Sequence, residues 1–170
     1  MVRLYVFALS PILWATGVGA DRYSDCNQFA DPDRSVRGCT AIIDRGNREN
    51  RKNRAVAFWS RGNTYYLKSE IDKAIADFTE AIKLNPEFAL AYYGRGNAYK
   101  DKGEYDRAIA DADKIIEINP RDPEAYSNRG GAYVAKGDKE RAVADYRNAL
   151  KMDPSNQMAK VALKVLGVTP

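Results

Sequence analysis

The chain predicts an all-α fold, a solenoid of stacked antiparallel helix hairpins, on three observations. Pro86, Pro120 and Pro154 stand 34 residues apart. In the same register Gly62, Gly96 and Gly130 align, as do Tyr65, Tyr99 and Tyr133, Ala74, Ala108 and Ala142, and Asp77, Asp111 and Asp145. Within each period, apolar residues recur three or four places apart in two separate runs, the spacing of one helix face. A period of this length is one hairpin unit that cannot bury its apolar face alone and stacks on its neighbours.

The full repeats span 55–88, 89–122 and 123–156. In the first, Phe58, Gly62 and Tyr65 mark one helix, and Ala74, Phe78, Ala81 and Ile82 mark the second. Lys68-Ser69-Glu70 is the polar turn between them; Asp101-Lys102-Gly103 and Lys136-Gly137-Asp138 replace it later, each with a glycine suited to left-handed backbone. Proline at the thirty-second position cannot continue the second helix, and it biases Asn85, Asn119 or Asp153 before it away from helical angles. Glycine at the eighth position and alanine at the twentieth let the two helices approach closely. A bulky residue in place of Gly96 is expected to wedge its hairpin open, at a cost of ~1–3 kcal/mol.

Residues 21–54 read as a degenerate first repeat: Ala30-Asp31-Pro32-Asp33 forms the turn and Ser35-Val36 opens the second helix. A polar loop over 46–53 follows, carrying the basic cluster Arg48, Arg51, Lys52 and Arg54, read as a solvated run with an anionic contact as the alternative. Residues 157–170 read as a capping helix, with Met158, Val161, Ala162 and Val165 as its inward stripe and Lys160 and Lys164 facing out. A cap of this kind covers the open end of an array.

Residues 1–20 have the layout of a secretory signal: Arg3 gives a positive start, 4–14 are almost wholly apolar, and small residues precede cleavage after Ala20. The alternative is an uncleaved anchor in the membrane, but the apolar run is short of the ~20 residues a spanning helix needs. The mature chain is thus expected to be exported, periplasmic or secreted, with no membrane insertion after cleavage. Aligned on the repeats, Cys26 and Cys39 take positions held by Tyr65 with Phe78 and by Tyr133 with Tyr146, which should touch across a hairpin. In an exported chain such a pair forms a disulfide. The loop it closes is about 14 residues, worth ~3 kcal/mol in the chain-entropy model. A redox-active pair is the alternative, without the C-x-x-C spacing that would support it.

Arg61, Arg95 and Arg129 recur at position 7, with Asp77, Asp111 and Asp145 at position 23 of the facing helix. They are expected to form one structural, bidentate ion pair per hairpin. A basic ladder gripping an anionic ligand is the alternative, and the recurring acid argues against it.

Little supports chemistry. The chain has no histidine, so it has no Ser-His-Asp or Cys-His arrangement, no H-E-x-x-H zinc site and no haem histidine. It has no G-x-x-x-x-G-K-[ST] loop either. Carboxylate pairs and a Ser–Lys dyad are compositionally available, but the recurrent carboxylates lie at pairing and turn positions. An enzyme is the least supported class, and no cofactor or metal is expected. The net charge is +4, or +3 once Arg3 leaves with residues 1–20, and the basic residues are scattered. Nucleic-acid partners, which call for a clustered basic patch, are not expected.

The periodic set resembles the tetratricopeptide repeat over residues 55–156: an aromatic at the fourth position (Phe58, Tyr92, Tyr126), glycine at the eighth, tyrosine at the eleventh, alanine at the twentieth and proline at the thirty-second. Departures are Ser69 for the usual glycine, Ala112 for the usual aromatic and Ile115 for the usual alanine; the last two are complementary in volume and imply local repacking. The resemblance implies that first helices line a concave groove through positions 2, 5, 9 and 12. The groove residues it singles out are Trp59, Asn63, Tyr66, Leu90, Tyr93, Asn97, Lys100 and Ser127. Tyr93, Asn97 and Lys100 are expected to be exposed there, whereas Trp59 and Tyr66 either line the groove or pack under the degenerate repeat. The Lys and Asn clamp with which some family members hold peptide C-termini is not reproduced. Trp59, Gly94 and Glu124 stand at three of its positions and only Asn63 matches.

The expected function is therefore a non-catalytic adaptor or scaffold of the bacterial envelope that binds a protein or peptide segment in its groove. The alternative is an architectural subunit, or an array that associates with itself through its terminal faces.

Overall fold

The computed structural model describes residues 17–27 and 30–169. Its helices are α1 (Gly17–Cys26), α2 (Pro32–Ile43), α3 (Arg51–Leu67), α4 (Ile71–Leu84), α5 (Ala89–Asp101), α6 (Tyr105–Ile118), α7 (Pro123–Lys136), α8 (Lys139–Met152) and α9 (Gln157–Val165). Consecutive helices pair as hairpins, each second helix packs on the next first helix, and α3 touches α5 as α5 touches α7. The result is a stack of repeats whose first helices share one face. Of the segment expected to be a leader, residues 1–16 lie outside the described residues, and α1 runs across Ala20 and Asp21.

In the three full repeats the hairpin turn ends the first helix by a left-handed residue. Ser69 has φ 59°, Gly103 φ 75° and Gly137 φ 86°. The amide of the residue after each of these then donates to the carbonyl of Tyr65, Tyr99 or Tyr133, each at 2.8 Å, as in the Schellman arrangement. The second helices of the three full repeats stop at extended residues: Asn85 (φ −140°), Asn119 (φ −135°) and Asp153 (φ −130°) stand directly before the repeat prolines.

The three Arg–Asp pairs are bidentate. Nε and Nη2 of Arg61 bond Asp77 at 2.7 and 2.9 Å, those of Arg95 bond Asp111 at 2.9 and 2.7 Å, and those of Arg129 bond Asp145 at 2.8 and 2.7 Å. Nη1, the remaining nitrogen, points backwards along the stack. It bonds Thr40 Oγ1 (2.8 Å), Thr79 Oγ1 (3.1 Å) and Asp113 Oδ1 (2.6 Å) in the second helix of the preceding hairpin. Each arginine therefore ties three helices, and its guanidinium lies 5.4–5.9 Å from the flanking aromatic rings. The hydrogen bond to Asp145 first of all holds Arg129 protonated well above the ordinary arginine range. A second, solvent-exposed ladder follows the same period, linking Lys68 to Asp33, Lys102 to Asp72 and Lys136 to Asp106. Exposed pairs of this kind contribute little each.

Cys26 and Cys39 are joined by a disulfide, with Cα atoms 4.4 Å apart. Both are buried against Ile42 and Ala57, so the bridge lies at the junction of the first hairpin with α3.

Three expectations are corrected. The loop over 46–53 is mostly structured: Gly46–Arg48 is a 3₁₀ turn, and Asn50 caps α3, which starts at Arg51. Within the basic cluster Arg51 is exposed and also serves the fold. Its guanidinium donates to the carbonyls of Leu84 (2.8 Å) and Lys83 (3.0 Å), satisfying the last turn of α4. In α9 the inward residues are Ala159 and Leu163, joined by Ala162 and Leu166. Met158, Val161 and Val165 are 55%, 59% and 80% exposed, because α8 takes the opposite face of the helix. Finally, Gly96 is not tightly packed. A β-carbon there would meet Asp111 Cβ at 3.5 Å and Ala108 O at 3.7 Å, ordinary contacts, because Ala112 leaves out the ring that faces the equivalent glycines.

Candidate binding groove

The shared face of α3, α5 and α7 carries the groove residues, and the period places them in rows. Trp59 and Tyr66 are half-buried, but they reach forward along the stack instead of packing under the first repeat. The indole Nε1 of Trp59 donates to Leu90 O at 3.2 Å, and its ring packs on Phe88, centroids 5.8 Å apart. The Tyr66 hydroxyl donates to Asp101 Oδ2 at 2.5 Å. Burial first, and then Asp101, push the Tyr66 phenol up to about 12. Both side chains thus brace α5 against α3.

Leu90 is 50% exposed. Asn63 is half-buried. Tyr93, Asn97 and Lys100 are half-buried too, where exposure was expected. The Lys100 ammonium donates to Asn97 Oδ1 at 3.3 Å, which pre-orients the amide. The Tyr93 hydroxyl is buried beside the Asp122 carboxylate but outside hydrogen-bond geometry, and burial first, then Asp122, raises it far above the usual phenol range. Ser127 is wholly buried, and its Oγ likewise has no partner. Unpartnered buried hydroxyls are uncommon and each calls for an explanation.

Two of these placements have causes the sequence did not show. Gly94 stands beside Tyr93 because the Phe78 ring of the preceding hairpin fills the space a side chain would need. Ser127 sinks below the surface that Trp59 and Tyr93 occupy in the earlier repeats. Beside it opens a cleft of about 490 Å³, lined by Asn97 of α5, Glu124, Ser127 and Asn128 of α7, Asp153, Ser155 and Asn156 of the turn after α8, and Gln157 and Met158 of α9. Sequence reasoning missed this cleft because Asn128 lies off the expected groove positions and α9 was read as a cap. Position 2 of a fourth register, which falls on Met158, was the available signal. Among the described residues no three or more histidine, cysteine or carboxylate side chains cluster as metal ligands would.

A family model described as TPR repeat matches residues 62–103, and one described as tetratricopeptide repeat matches 89–122 and 123–156. Among solved structures, the Arabidopsis OM64 TPR domain is similar at 33% identity with a TM-score of 0.67, over 69% of this chain and 98% of that one. The chain belongs to the tetratricopeptide repeat family. A structure described as the first TPR of Spaghetti (RPAP3) bound to HSP90 peptide SRMEEVD is similar at 27% identity, TM-score 0.65, over 68% of this chain and 92% of that one. A crystal structure of MamA protein matches at 29% identity, TM-score 0.65, over 82% of this TPR chain and 70% of its own. A comparison with curated proteins returned no match.

Proposed function

We propose that this chain is a non-catalytic interaction module of the bacterial envelope, holding an extended protein or peptide segment along the face of α3, α5 and α7. The observation that carries the reading is the row of half-buried polar groups on that face. Asn63, Asn97, the Tyr93 hydroxyl and the Ser127 hydroxyl repeat at the spacing of the first helices, two of them buried and unpartnered. A partner's main chain supplies the donors and acceptors such groups lack. The similar TPR structure with an HSP90 peptide supports the same mode of use. A stack braced by three-helix arginine ties is rigid before its partner arrives, so little ordering entropy is lost on binding. The buried disulfide fits an oxidising compartment, in keeping with the leader-like 1–20 segment. Among the described residues no helix is long and apolar enough to cross a membrane.

A photo-crosslinking amino acid at exposed Leu90, expressed in the native envelope, tests this. One discrete adduct that Asn97→Ala with Tyr93→Phe weakens is the expected outcome; absence of any adduct sinks the reading. Trp59→Ala is unsuitable because Trp59 also braces α5.

A second reading, association through the terminal face, is favoured by one observation: Met158, Val161 and Val165 form an exposed apolar row on α9. Light scattering across a concentration series separates it from the first. A mass that stays monomeric excludes it.

A further inference from the structure

We propose that the cleft between α5, α7 and α9 is a subsite for a cationic side chain, lysine or arginine, of the bound segment. The inference rests on the groove reading above and adds the partner's chemistry. The cleft of about 490 Å³ is lined by two carboxylates, Glu124 and Asp153, by the amides of Asn97, Asn128, Asn156 and Gln157, and by no basic side chain. Glu124 is exposed, at the second position of α7. Asp153 is held ionised: the Ser155 hydroxyl (2.6 Å) and amide (2.8 Å) both donate to its Oδ1 and keep its carboxyl below the usual range.

The independent observation is Ser127. It lines the cleft, has no exposed surface, and its Oγ lacks any hydrogen-bond partner. A buried hydroxyl can accept from an ammonium or guanidinium, which carries several donors and no acceptor. Two basic side chains lie near the cleft without lining it, Lys100 and Lys160, and the charge of Lys160 helps keep Asp153 ionised. The Lys100 ammonium donates to Asn97 Oδ1. The positive end of α9 is answered from within, since Asn156 Oδ1 accepts the Ala159 amide at 2.9 Å. A helix end carries about half a charge, against two full carboxylate charges here. Met158 at the rim is 55% exposed and offers an apolar surface for the methylene stem of a long basic side chain. The cleft thus selects against an acidic segment, unlike the peptide SRMEEVD held by the similar TPR structure.

The test uses arrays of acetylated decapeptides with mixed flanks and a fixed central Arg, Lys, Ala or Glu, probed with the labelled full chain. Pools with Arg or Lys should bind about tenfold better than the Glu pool, with the advantage shrinking as salt rises. Glu124→Lys should abolish or invert that order, and Glu124→Gln should reduce it severalfold, both with unchanged melting because Glu124 is exposed. Binding to all pools without a charge order, or an order untouched in both variants, overturns the cationic subsite while leaving the groove reading in place. Failure of every pool to bind above a scrambled-surface control removes both.

Discussion

The ring of Phe78 ends against Gly94: its Cζ lies 2.5 Å from the point where a β-carbon on Gly94 would stand. Cε1 of the same ring lies 2.8 Å from the corresponding point on Gly62. One fully buried ring is therefore clasped by glycines of two successive hairpins, and it sets the distance between α3, α4 and α5. Gly94→Ala and Gly62→Ala should each destabilise the protein by ~1–3 kcal/mol through overpacking. Gly96→Ala should not. With ordinary contacts at 3.5 Å and beyond, it gains up to about 1 kcal/mol from helix propensity. Urea unfolding of the three variants checks the order.

Arg95→Ala leaves Asp111, only 4% exposed, as a buried carboxylate without its bidentate partner. The expected loss is about 3–5 kcal/mol. Arg95→Met combined with Asp111→Leu should recover most of it, since apolar replacement removes both desolvation costs beside the Tyr92 and Tyr99 rings. A double-mutant cycle in urea measures the coupling. A cycle without coupling would show that the pair does not act as a unit.

Ser69 occupies a left-handed turn position, φ 59°, that glycine fills in the two later repeats. Ser69→Gly should raise stability by up to about 1 kcal/mol, because the β-carbon strain disappears. The gain is read from the thermal midpoint, and a lowered midpoint would contradict it.

Opening the Cys26–Cys39 bridge, by reductant or as the double serine variant, should cost ~3 kcal/mol in the chain-entropy model. The loss should fall on α1 and α2 first, since the bridge lies within that hairpin. Hydrogen exchange resolves this: faster exchange confined to 17–43 is expected, and uniform acceleration through α8 is not.

Tyr66 connects stability to alkaline pH. Its ordinary value is 10.0, and in the fold burial and then Asp101 push it up to about 12. A raised folded value means its contribution is complete below pH 10 and is lost as pH climbs through about 12. Phenolate absorbance should show a late-titrating tyrosine that Tyr66→Phe removes and Asp101→Asn shifts downward. An unchanged titration in both variants would show that the Tyr66–Asp101 bond does not form.

Much of this was readable in the residues. Repeated Gly, Ala, Tyr and Pro at fixed intervals specified hairpins, because each position answers to a local demand: a close approach, a turn, a helix stop. The Arg–Asp pairs were visible for the same reason, since both partners recur together. The third tie, from Nη1 to the preceding hairpin, was hidden because its partners change from Thr40 and Thr79 to Asp113. The cleft beside Ser127 was hidden for a related reason: its walls come from α5, α7 and α9, and no single repeat contains it.

By itself the sequence determined the helices, their order, their pairing and the covalent staple, since these follow from intervals along the chain. Only the tertiary structure decided which faces meet. It turned Met158, Val161 and Val165 outward, freed Gly96, carried Trp59 and Tyr66 onto α5, and sank Ser127 beneath the groove. Those outcomes depend on side-chain volumes in neighbouring repeats, such as Ala112 where the other hairpins present a ring, and helical periodicity alone does not encode them.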